Sequence, residues 1–159
     1  MDAIYIATPH PQHRDIALSA IAHRKAVLVE KAFTATLVGA QQVAQAATEA
    51  GVFAMEAMWT RFLPVISAAR EVVAWGRIGD VIAVQGDLYA FREYQEGHRL
   101  FDKGLGGGAI LDLGVYLVNL AQMFLGDVKG IDCMTRLYPT GVEKAASITL
   151  AHIGAGSPP

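Results

Sequence analysis

Cysteine is nearly absent from this 159-residue chain, which contains only Cys133. A single cysteine excludes an intrachain disulfide and any metal site built from several thiolates, and no metal site is predicted. A reducing cytoplasm is the simplest compartment for such a chain. The first residues, MDAIYIATPHPQH, also lack the basic segment and long apolar segment of a signal peptide.

An excess of one charge and a long uninterrupted apolar run are missing too. The chain has 13 basic and 15 acidic residues, a net charge of −2, and no basic cluster, so no nucleic-acid partner is expected. Asp112 and several glycines interrupt the most apolar stretch, residues 104–126, so no membrane partner is expected either. The chain is 53% hydrophobic, which is enough for a large core and typical of a folded globular protein.

The first third of the chain alternates between short apolar runs and helical patterns. Thr36 is a plausible N-cap and Gly51 a plausible helix stop. Apolar strands without alternation, separated by helices, are typical of a parallel sheet covered on both faces, which predicts an α/β fold. The pattern predicts strands over residues 3–8, 26–30 and 52–57 and helices over residues 11–24 and 36–51.

From about residue 61 the pattern changes, and longer strands with partial alternation indicate a second, mainly antiparallel sheet. We therefore predict two parts, residues 1–60 and residues 61–159. The Gly/Pro-rich end, residues 153–159, is expected to fray. For the second part the pattern predicts helices over 62–76 and 106–126, strands over 80–91, 128–138 and 145–152, and a polar segment over 92–104.

Polar and aromatic residues follow the ends of all three strands in the first part. Since the carboxyl ends of parallel strands meet at one edge of a sheet, where α/β proteins bind ligands, these residues are candidates for a site. Each also has a plain structural explanation, such as solvated charges at a strand end, a helix cap or a salt bridge. The candidates are Pro9, His13, Glu30, Lys31, Trp59 and Arg61.

The helix predicted over residues 106–126 carries one polar stripe on an otherwise apolar surface. Asp112, Tyr116 and Asn119 are four and seven residues apart and so share one face. The stripe is either a solvated surface or, because the rest of the helix is apolar, a buried group with polar partners. The glycines of GLGGG (104–108) allow close approach by a ligand or a flexible entry to the helix. Together these features predict a cleft at the mouth of a doubly wound sheet.

Four motifs resemble, in order and spacing, those of the Gfo/Idh/MocA oxidoreductases: TPHPQH, VEKA as a variant of Glu-Lys-Pro, EAMWTRFLP, and GGGAILDLGVYLVNLAQMFLG. The resemblance points to the dihydrodiol and sugar dehydrogenase branch, in which the late helix carries Tyr rather than His. It implies the C-terminal part of a Rossmann domain joined to part of an α+β domain with an open, mainly antiparallel sheet. It also implies NAD or NADP as cofactor, a polyol, sugar or dihydrodiol as substrate, and a homo-oligomer.

The resemblance further implies a role for individual residues. Tyr116 is the acid/base, Lys31 orients substrate and cofactor, and Asp112 lies beside the substrate, with Asn119 on the same side. A nearby ammonium group favours the phenolate form of a tyrosine, so Lys31 and Tyr116 work as a pair. The residues implied to lie near the cofactor are Pro9, His13, Glu30, Lys31, Trp59 and Arg61.

Two departures from the family qualify these implications. Ala32 stands where the family has Pro, which predicts a looser turn that keeps both charged groups. No G-x-G-x-x-G follows a strand, and GLGGGA (104–109) follows a polar segment instead. The match therefore begins near the family's fourth Rossmann strand and is incomplete at both ends. Two functions stay open: the central part of an NAD(P)-dependent dehydrogenase, inactive alone, or a naturally truncated, non-catalytic protein that binds or oligomerises.

Overall fold

The computed structural model describes residues 1–153, and the rest of the segment predicted to fray lies outside them. The elements are β1 (Ala3–Ile6), α1 (His10–Ala22), β2 (Ala26–Glu30), α2 (Leu37–Ala50), β3 (Ala54–Ala57), a 3₁₀ turn (Trp59–Phe62), α3 (Pro64–Ala74), two further 3₁₀ turns (Arg99–Phe101 and Lys103–Leu105), a π-helical turn (Ile110–Gly114), α4 (Val115–Leu125), β4 (Val128–Leu137) and β5 (Glu143–His152).

The first sheet is parallel, as predicted, and β2 is its central strand. Ala3 of β1 pairs with Ala26, and Val27 of β2 pairs with Ala54. Burial alternates along β2: Val27 and Val29, on the face that α1 and α2 cover, are 1% and 0% exposed, whereas Ala26, Leu28 and Glu30 are only half-buried. The core cluster that α1 and α2 complete over this sheet contains Ile6, Ala17, Ala20, Ile21, Val27, Val29, Val43 and Ala47.

Helix α2 has the ends that the sequence predicts. The Thr36 side chain accepts a hydrogen bond from the backbone N–H of Gly39, with a distance of 3.1 Å, and so satisfies one unpaired donor of the first turn. Gly51 ends the helix with φ of 64°, a left-handed conformation that suits glycine.

The second sheet is an antiparallel hairpin of β4 and β5. Ile131 pairs with Leu150 and Cys133 with Ile148, and the register shifts near each end of the hairpin. The strands predicted over 128–138 and 145–152 are thus confirmed to within two residues. The fold class is confirmed as well, because a parallel sheet with helices is followed by an antiparallel sheet.

The strand predicted over residues 80–91 is wrong, because this segment is extended but contains neither helix nor strand. A strand requires a hydrogen-bonded neighbour, and β5 pairs only with β4 among the described residues. The segment lies against α4 instead, where a Cβ added to Gly86 would come within 2.9 Å of the Leu117 side chain. A cavity of about 300 Å³ separates residues 84–86 from β5.

The stretch Lys103–Leu125, which includes a 3₁₀ turn, the π-helical turn and α4, has 23 residues and is long and apolar enough to cross a membrane by length and composition. Core helices of soluble proteins have the same length and composition, so this property alone assigns no membrane. Asp112 within the stretch is paired with Lys31 of the first part. The expected absence of a membrane partner stays a prediction.

Candidate active site

Lys31 and Asp112 form the centre of the candidate site. Lys31 follows β2 directly, and its ammonium donates to the backbone carbonyl of Asp112. The same ammonium lies 3.3 Å from Asp112 Oδ1, and the two side chains are 14% and 26% exposed. This partly buried ion pair joins the carboxyl edge of the parallel sheet to the second part of the chain.

The π-helical turn Ile110–Gly114 presents Asp112 to Lys31. Such turns are rare, interrupt the regular hydrogen-bond ladder of a helix, and are frequent at functional sites. Arg99, which the sequence did not single out, lies 4.0 Å from Asp112 Oδ1. The Asp112 carboxylate therefore faces two cations, one partly buried and one exposed.

Tyr116 lies one helical turn beyond Asp112, beside the Lys31–Asp112 pair. The Trp59 indole Nε1 donates to the Tyr116 hydroxyl oxygen over 3.0 Å. The Lys31 ammonium lies 4.8 Å from the centroid of the Tyr116 ring, where the electron-rich face attracts a cation. The structure thus brings Lys31, Asp112 and Tyr116 together.

The third residue of the polar stripe, Asn119, also has a partner from the first part of the chain. Arg61 Nη1 donates to Asn119 Oδ1 over 2.7 Å. Asp112, Tyr116 and Asn119 are therefore paired with Lys31, Trp59 and Arg61 in turn. Because each polar group has a partner, the stripe is a junction between the two parts of the chain, partly buried at Lys31–Asp112 and exposed at its other two hydrogen bonds.

Glu30 lies at the same edge of the sheet, beside Tyr5 of the neighbouring strand. The Tyr5 hydroxyl donates to the Glu30 carboxylate, and the backbone N–H of Lys31 lies 3.3 Å from Glu30 Oε2. The hydrogen bond to Glu30 raises the pKa of Tyr5, with smaller contributions from burial and from the negative charge of Glu30.

His13, which the resemblance implies to lie near the cofactor, is buried beneath the ends of two strands. Its side chain is 0% exposed; Nδ1 lies 2.9 Å from the Ala32 carbonyl and Nε2 2.7 Å from the Thr8 carbonyl. Since both ring nitrogens already face backbone oxygens, His13 connects the ends of β1 and β2 from beneath. Pro9, the residue before α1, marks the entry to that helix.

His10 is a site residue that the sequence did not reveal. Its Nδ1 lies 2.9 Å from the Gly106 carbonyl and its Nε2 3.2 Å from the Lys31 carbonyl. The only signal was the HPQH spacing, which places two histidines in the first turn of α1. The turn that has Ala32 where the family has Pro is thus held by the side chains of His10 and His13, which contact the carbonyls of Lys31 and Ala32.

The glycine run 104–108 is a packing junction between segments of this chain. A Cβ at Gly107 would lie 2.6 Å from the Arg99 carbonyl oxygen, and one at Gly108 would lie 2.0 Å from Glu143 Oε2. At Gly106 it would come within 3.0 Å of the His10 side chain. The run therefore allows close approach by other segments of this chain, and approach by a ligand stays a prediction.

The turns that follow β1 and β2 differ from the glycine turn of a dinucleotide-binding site. A pyrophosphate is bound by a glycine turn at a helix N-terminus, whereas the turns 7–9 and 31–36, which lead into α1 and α2, contain no glycine. Lys31, Trp59 and Arg61 offer an ammonium, an aromatic ring and a guanidinium instead. Within residues 1–153 no group of three His, Cys, Asp or Glu side chains could hold a metal ion.

Comparison with known proteins extends these observations. A family model described as the oxidoreductase family with an NAD-binding Rossmann fold, Gfo/Idh/MocA, matches residues 1–58. A second, described as the Gfo/Idh/MocA C-terminal domain, matches residues 66–155. Both matches follow the chain in the order that the motifs predicted.

Among curated relatives, the trans-1,2-dihydrobenzene-1,2-diol dehydrogenase of Mus musculus is 36% identical over 156 residues, which are 97% of this chain and 46% of the relative. The chain thus spans about half the length of the curated relatives it matches. The structure of a levoglucosan dehydrogenase with NADH and levoglucosan matches 98% of this chain and 45% of its own, with a TM-score of 0.86 and 20% identity. An aldose-aldose oxidoreductase from Caulobacter crescentus with glycerol matches 98% and 48%, with a TM-score of 0.84 and 23% identity. At these identities the two structures establish the shared fold.

Proposed function

Because this chain belongs to the Gfo/Idh/MocA oxidoreductase family, we propose that its cleft serves hydride transfer between NAD or NADP and a secondary alcohol of a sugar or trans-dihydrodiol. The observation that carries the proposal is the meeting of Lys31, Asp112 and Tyr116 at the carboxyl edge of the parallel sheet. The relatives that match most of this chain are named for a dihydrodiol, and two structural neighbours for sugars.

Tyr116 is the proton acceptor in this proposal. When the alcohol is oxidised, its carbinol C–H bond breaks and the hydride leaves with both electrons. Its O–H bond breaks as well, the proton passes to the Tyr116 phenolate oxygen, and the carbon–oxygen bond becomes a carbonyl. In the reverse direction the Tyr116 hydroxyl returns that proton to the carbonyl oxygen. Acid/base catalysis of this kind contributes about 10²–10⁴-fold to a rate.

Lys31 supplies positive charge beside Tyr116, and its ammonium favours the phenolate over the phenol. Asp112 holds the ammonium in place through its carbonyl and its carboxylate. Asn119, one turn beyond Tyr116, has an amide N–H₂ group that can donate to a further hydroxyl of a polyol. Hydroxyl-rich substrates therefore suit the stripe better than apolar ones.

NAD or NADP would supply the hydride acceptor when bound. Lys31, Trp59 and Arg61 would lie near its nicotinamide end, with Glu30 and Pro9 at the same edge. A dinucleotide gains much of its affinity from the pyrophosphate turn and the ribose contacts. Since neither turn into α1 or α2 contains glycine, we expect the 159-residue chain to bind NAD(P) no tighter than about millimolar and to show no turnover alone.

Calorimetric titration of the 159-residue chain with NAD⁺ and NADP⁺ tests the cofactor part of the proposal. A dissociation constant in the micromolar range would contradict it.

The catalytic part is tested by a chimera in which this chain replaces the matching 156 residues of the mouse relative. In the chimera, Tyr116→Phe should lower kcat about 10²–10⁴-fold, whereas Trp75→Phe, at an exposed position that follows α3, should leave kcat unchanged. Full turnover of Tyr116→Phe would show that the acid/base assignment is wrong.

The exposed apolar surface of the second part favours a further proposal, a homo-oligomer. Ile131, Met134 and Leu137 of β4 are 67%, 76% and 58% exposed. Because side chains alternate along a strand, Ile131 and Met134 lie on opposite faces of the hairpin, so each face carries an exposed apolar side chain. Exposed apolar residues and free strand edges promote association. A dimer that covers the β4–β5 hairpin is the simplest arrangement, and it also accommodates the non-catalytic, oligomerising alternative.

A further inference from the structure

Trp59 makes the only hydrogen bond to the Tyr116 side chain among the described residues. It begins the 3₁₀ turn after β3, and its indole Nε1 lies 3.0 Å from the Tyr116 hydroxyl oxygen. The two ring centroids are 6.0 Å apart, with the planes inclined at 72°. The edge of the indole, which carries the N–H group, thus points at the phenol oxygen.

The chemistry of the two groups determines where the Tyr116 proton goes. An indole N–H donates and cannot accept, whereas a phenol oxygen does both. Trp59 therefore occupies a lone pair of the oxygen and cannot take the hydroxyl proton. No other side chain in residues 1–153 accepts a hydrogen bond from Tyr116, so its proton stays free for a molecule in the cleft.

Lys31 does not donate a hydrogen bond to the Tyr116 hydroxyl oxygen. Its ammonium lies over the face of the Tyr116 ring, 4.8 Å from the centroid, and donates to Asp112. Lys31 therefore acts on Tyr116 through charge, and Trp59 acts through a directed bond to the oxygen. The two residues have separable effects.

We propose that Trp59 is a positioning residue for Tyr116. Its indole N–H fixes the hydroxyl so that the proton points into the cleft, and it stabilises the phenolate oxygen once that proton has left. A hydrogen bond to a charged oxygen favours the charged form. This inference rests on the proposed role of Tyr116 as acid/base, but the bond itself is measured without turnover.

The first test uses NMR of the ¹⁵N-labelled 159-residue chain. The chain has two tryptophans, so two indole N–H resonances are expected. Tyr116→Phe removes the acceptor and should shift the Trp59 resonance and increase its exchange with water. Trp75, which is 68% exposed, should keep its resonance and serves as the internal control. An unmoved Trp59 resonance would overturn the proposal.

The second test follows tyrosinate absorbance against pH, with the Tyr116 signal isolated by subtracting the Tyr116→Phe titration. Trp59→Phe keeps an aromatic ring but removes the donor, and it should reduce the ionisation constant of Tyr116 about threefold to tenfold. Trp75→Phe is the matched control and should leave it unchanged. An equal titration of wild type and Trp59→Phe would overturn the proposal, because a purely structural contact would not move it.

Two further outcomes also bear on the proposal. If Trp59→Phe does not fold, the NMR titration of the wild-type chain tests the proposal. The Trp59 indole resonance should then move as Tyr116 ionises, while the Trp75 resonance does not. A Trp59 resonance that does not move overturns the proposal. If the bond is found but the Tyr116→Phe chimera keeps full turnover, the proposed function fails and the link between Trp59 and Tyr116 stands.

Discussion

Residues 1–58 and residues 59–153 are both rich in apolar side chains, but only the first region buries them. Ten of the twelve buried hydrophobic residues in the described chain lie in residues 1–58, and only Phe101 and Val142 lie beyond. Of the 20 large hydrophobic side chains that are exposed, 15 lie in residues 59–153. Composition alone therefore does not decide burial.

The difference lies in the number of layers. In the first region α1 and α2 complete a core over the parallel sheet, so that Val27, Val43 and Ala47 are all enclosed. In the second region α4 and the β4–β5 hairpin meet on one side only, and α4 has no fully buried residue. An apolar element needs a second surface before its hydrophobicity stabilises the fold. We therefore expect residues 1–58 to carry most of the stability of this chain, and residues 59–153 present the exposed apolar surface on which the proposed homo-oligomer depends.

Matched isoleucines give the largest expected contrast. Ile21 is 3% exposed and Ile82 is 79% exposed. Truncation of a buried isoleucine removes transfer free energy and leaves a cavity, so Ile21→Ala should lower the free energy of unfolding by about 2–5 kcal/mol. Ile82→Ala should change it by less than about 0.5 kcal/mol. Urea denaturation monitored by circular dichroism measures both.

The variants Ile21→Ala and Ile82→Ala can also contradict the difference in burial between the two regions. A loss of several kcal/mol for Ile82→Ala would mean that this side chain is covered in solution, and the difference in burial between the two regions would not hold. Equal and small losses for both variants would mean that the core of residues 1–58 does not dominate stability.

Two glycines, one before the π-helical turn and one at its end, sharpen the comparison within the second region. A Cβ at Gly107 would meet the backbone of Arg99 and Leu100 at 2.6–2.7 Å, whereas one at Gly114 would meet nothing closer than 3.6 Å. Overpacking against backbone forces the chain to shift, so Gly107→Ala should lower stability by about 1–3 kcal/mol. Gly114→Ala, in helical backbone, should be neutral or slightly stabilising. Thermal unfolding measures both variants, and equally small effects for the two would mean that the glycine run is merely a flexible entry.

The sequence predicts local structure well wherever one segment decides it. Thr36 and Gly51 bound α2 as predicted, and the apolar runs around Val27 and Ile4 form parallel strands. The strand predicted over residues 80–91 does not form, because alternation shows only that a segment can pair and not that a neighbour is within reach. Pairing depends on where the other segments lie, and the local pattern does not contain that information.

The sequence also predicts one part of the candidate site and not the other. Asp112, Tyr116 and Asn119 could be placed on one helical face from their spacing alone, and Lys31 at the end of a strand. The partners of these side chains could not be predicted from the sequence, since Trp59 and Tyr116 are 57 residues apart and Arg61 and Asn119 are 58 residues apart. His10 was missed because a histidine next to a helix start resembles any surface residue until Gly106 is brought against it.

Association gives a third contrast. Met134 lies on the β4–β5 hairpin and is 76% exposed, and Phe53 in the first region is 63% exposed. If the hairpin forms a homo-oligomer interface, Met134→Asp places a charge in it and should weaken association at least about tenfold, or about 1.4 kcal/mol. Phe53→Asp should leave association unchanged. Sedimentation equilibrium measures both, and a wild-type chain that stays monomeric at micromolar concentration would contradict the proposed oligomer.

The smallest contrast concerns two tyrosines, one in each region. A hydrogen bond to Glu30 raises the pKa of Tyr5, and a hydrogen bond to Asp87 raises the pKa of Tyr89. Tyr5 and Glu30 are 25 residues apart on two strands, so their contact exists only in the folded chain. Tyr89 and Asp87 are two residues apart on an extended segment without a strand partner, so their contact survives unfolding to a large degree.

Linkage then predicts different effects on stability at alkaline pH. The pKa of Tyr5 is higher in the folded than in the unfolded state, so the folded state binds more protons near the ordinary tyrosine value of about 10. The stability that Tyr5 contributes is therefore present at neutral pH and is lost as pH rises past that value. Tyr5→Phe should flatten this alkaline decline in urea midpoint, whereas Tyr89→Phe should leave the decline unchanged. If both variants changed it equally, the Tyr89 contact would depend on folding as much as the Tyr5 contact, and the second region would be better ordered than its exposed side chains indicate.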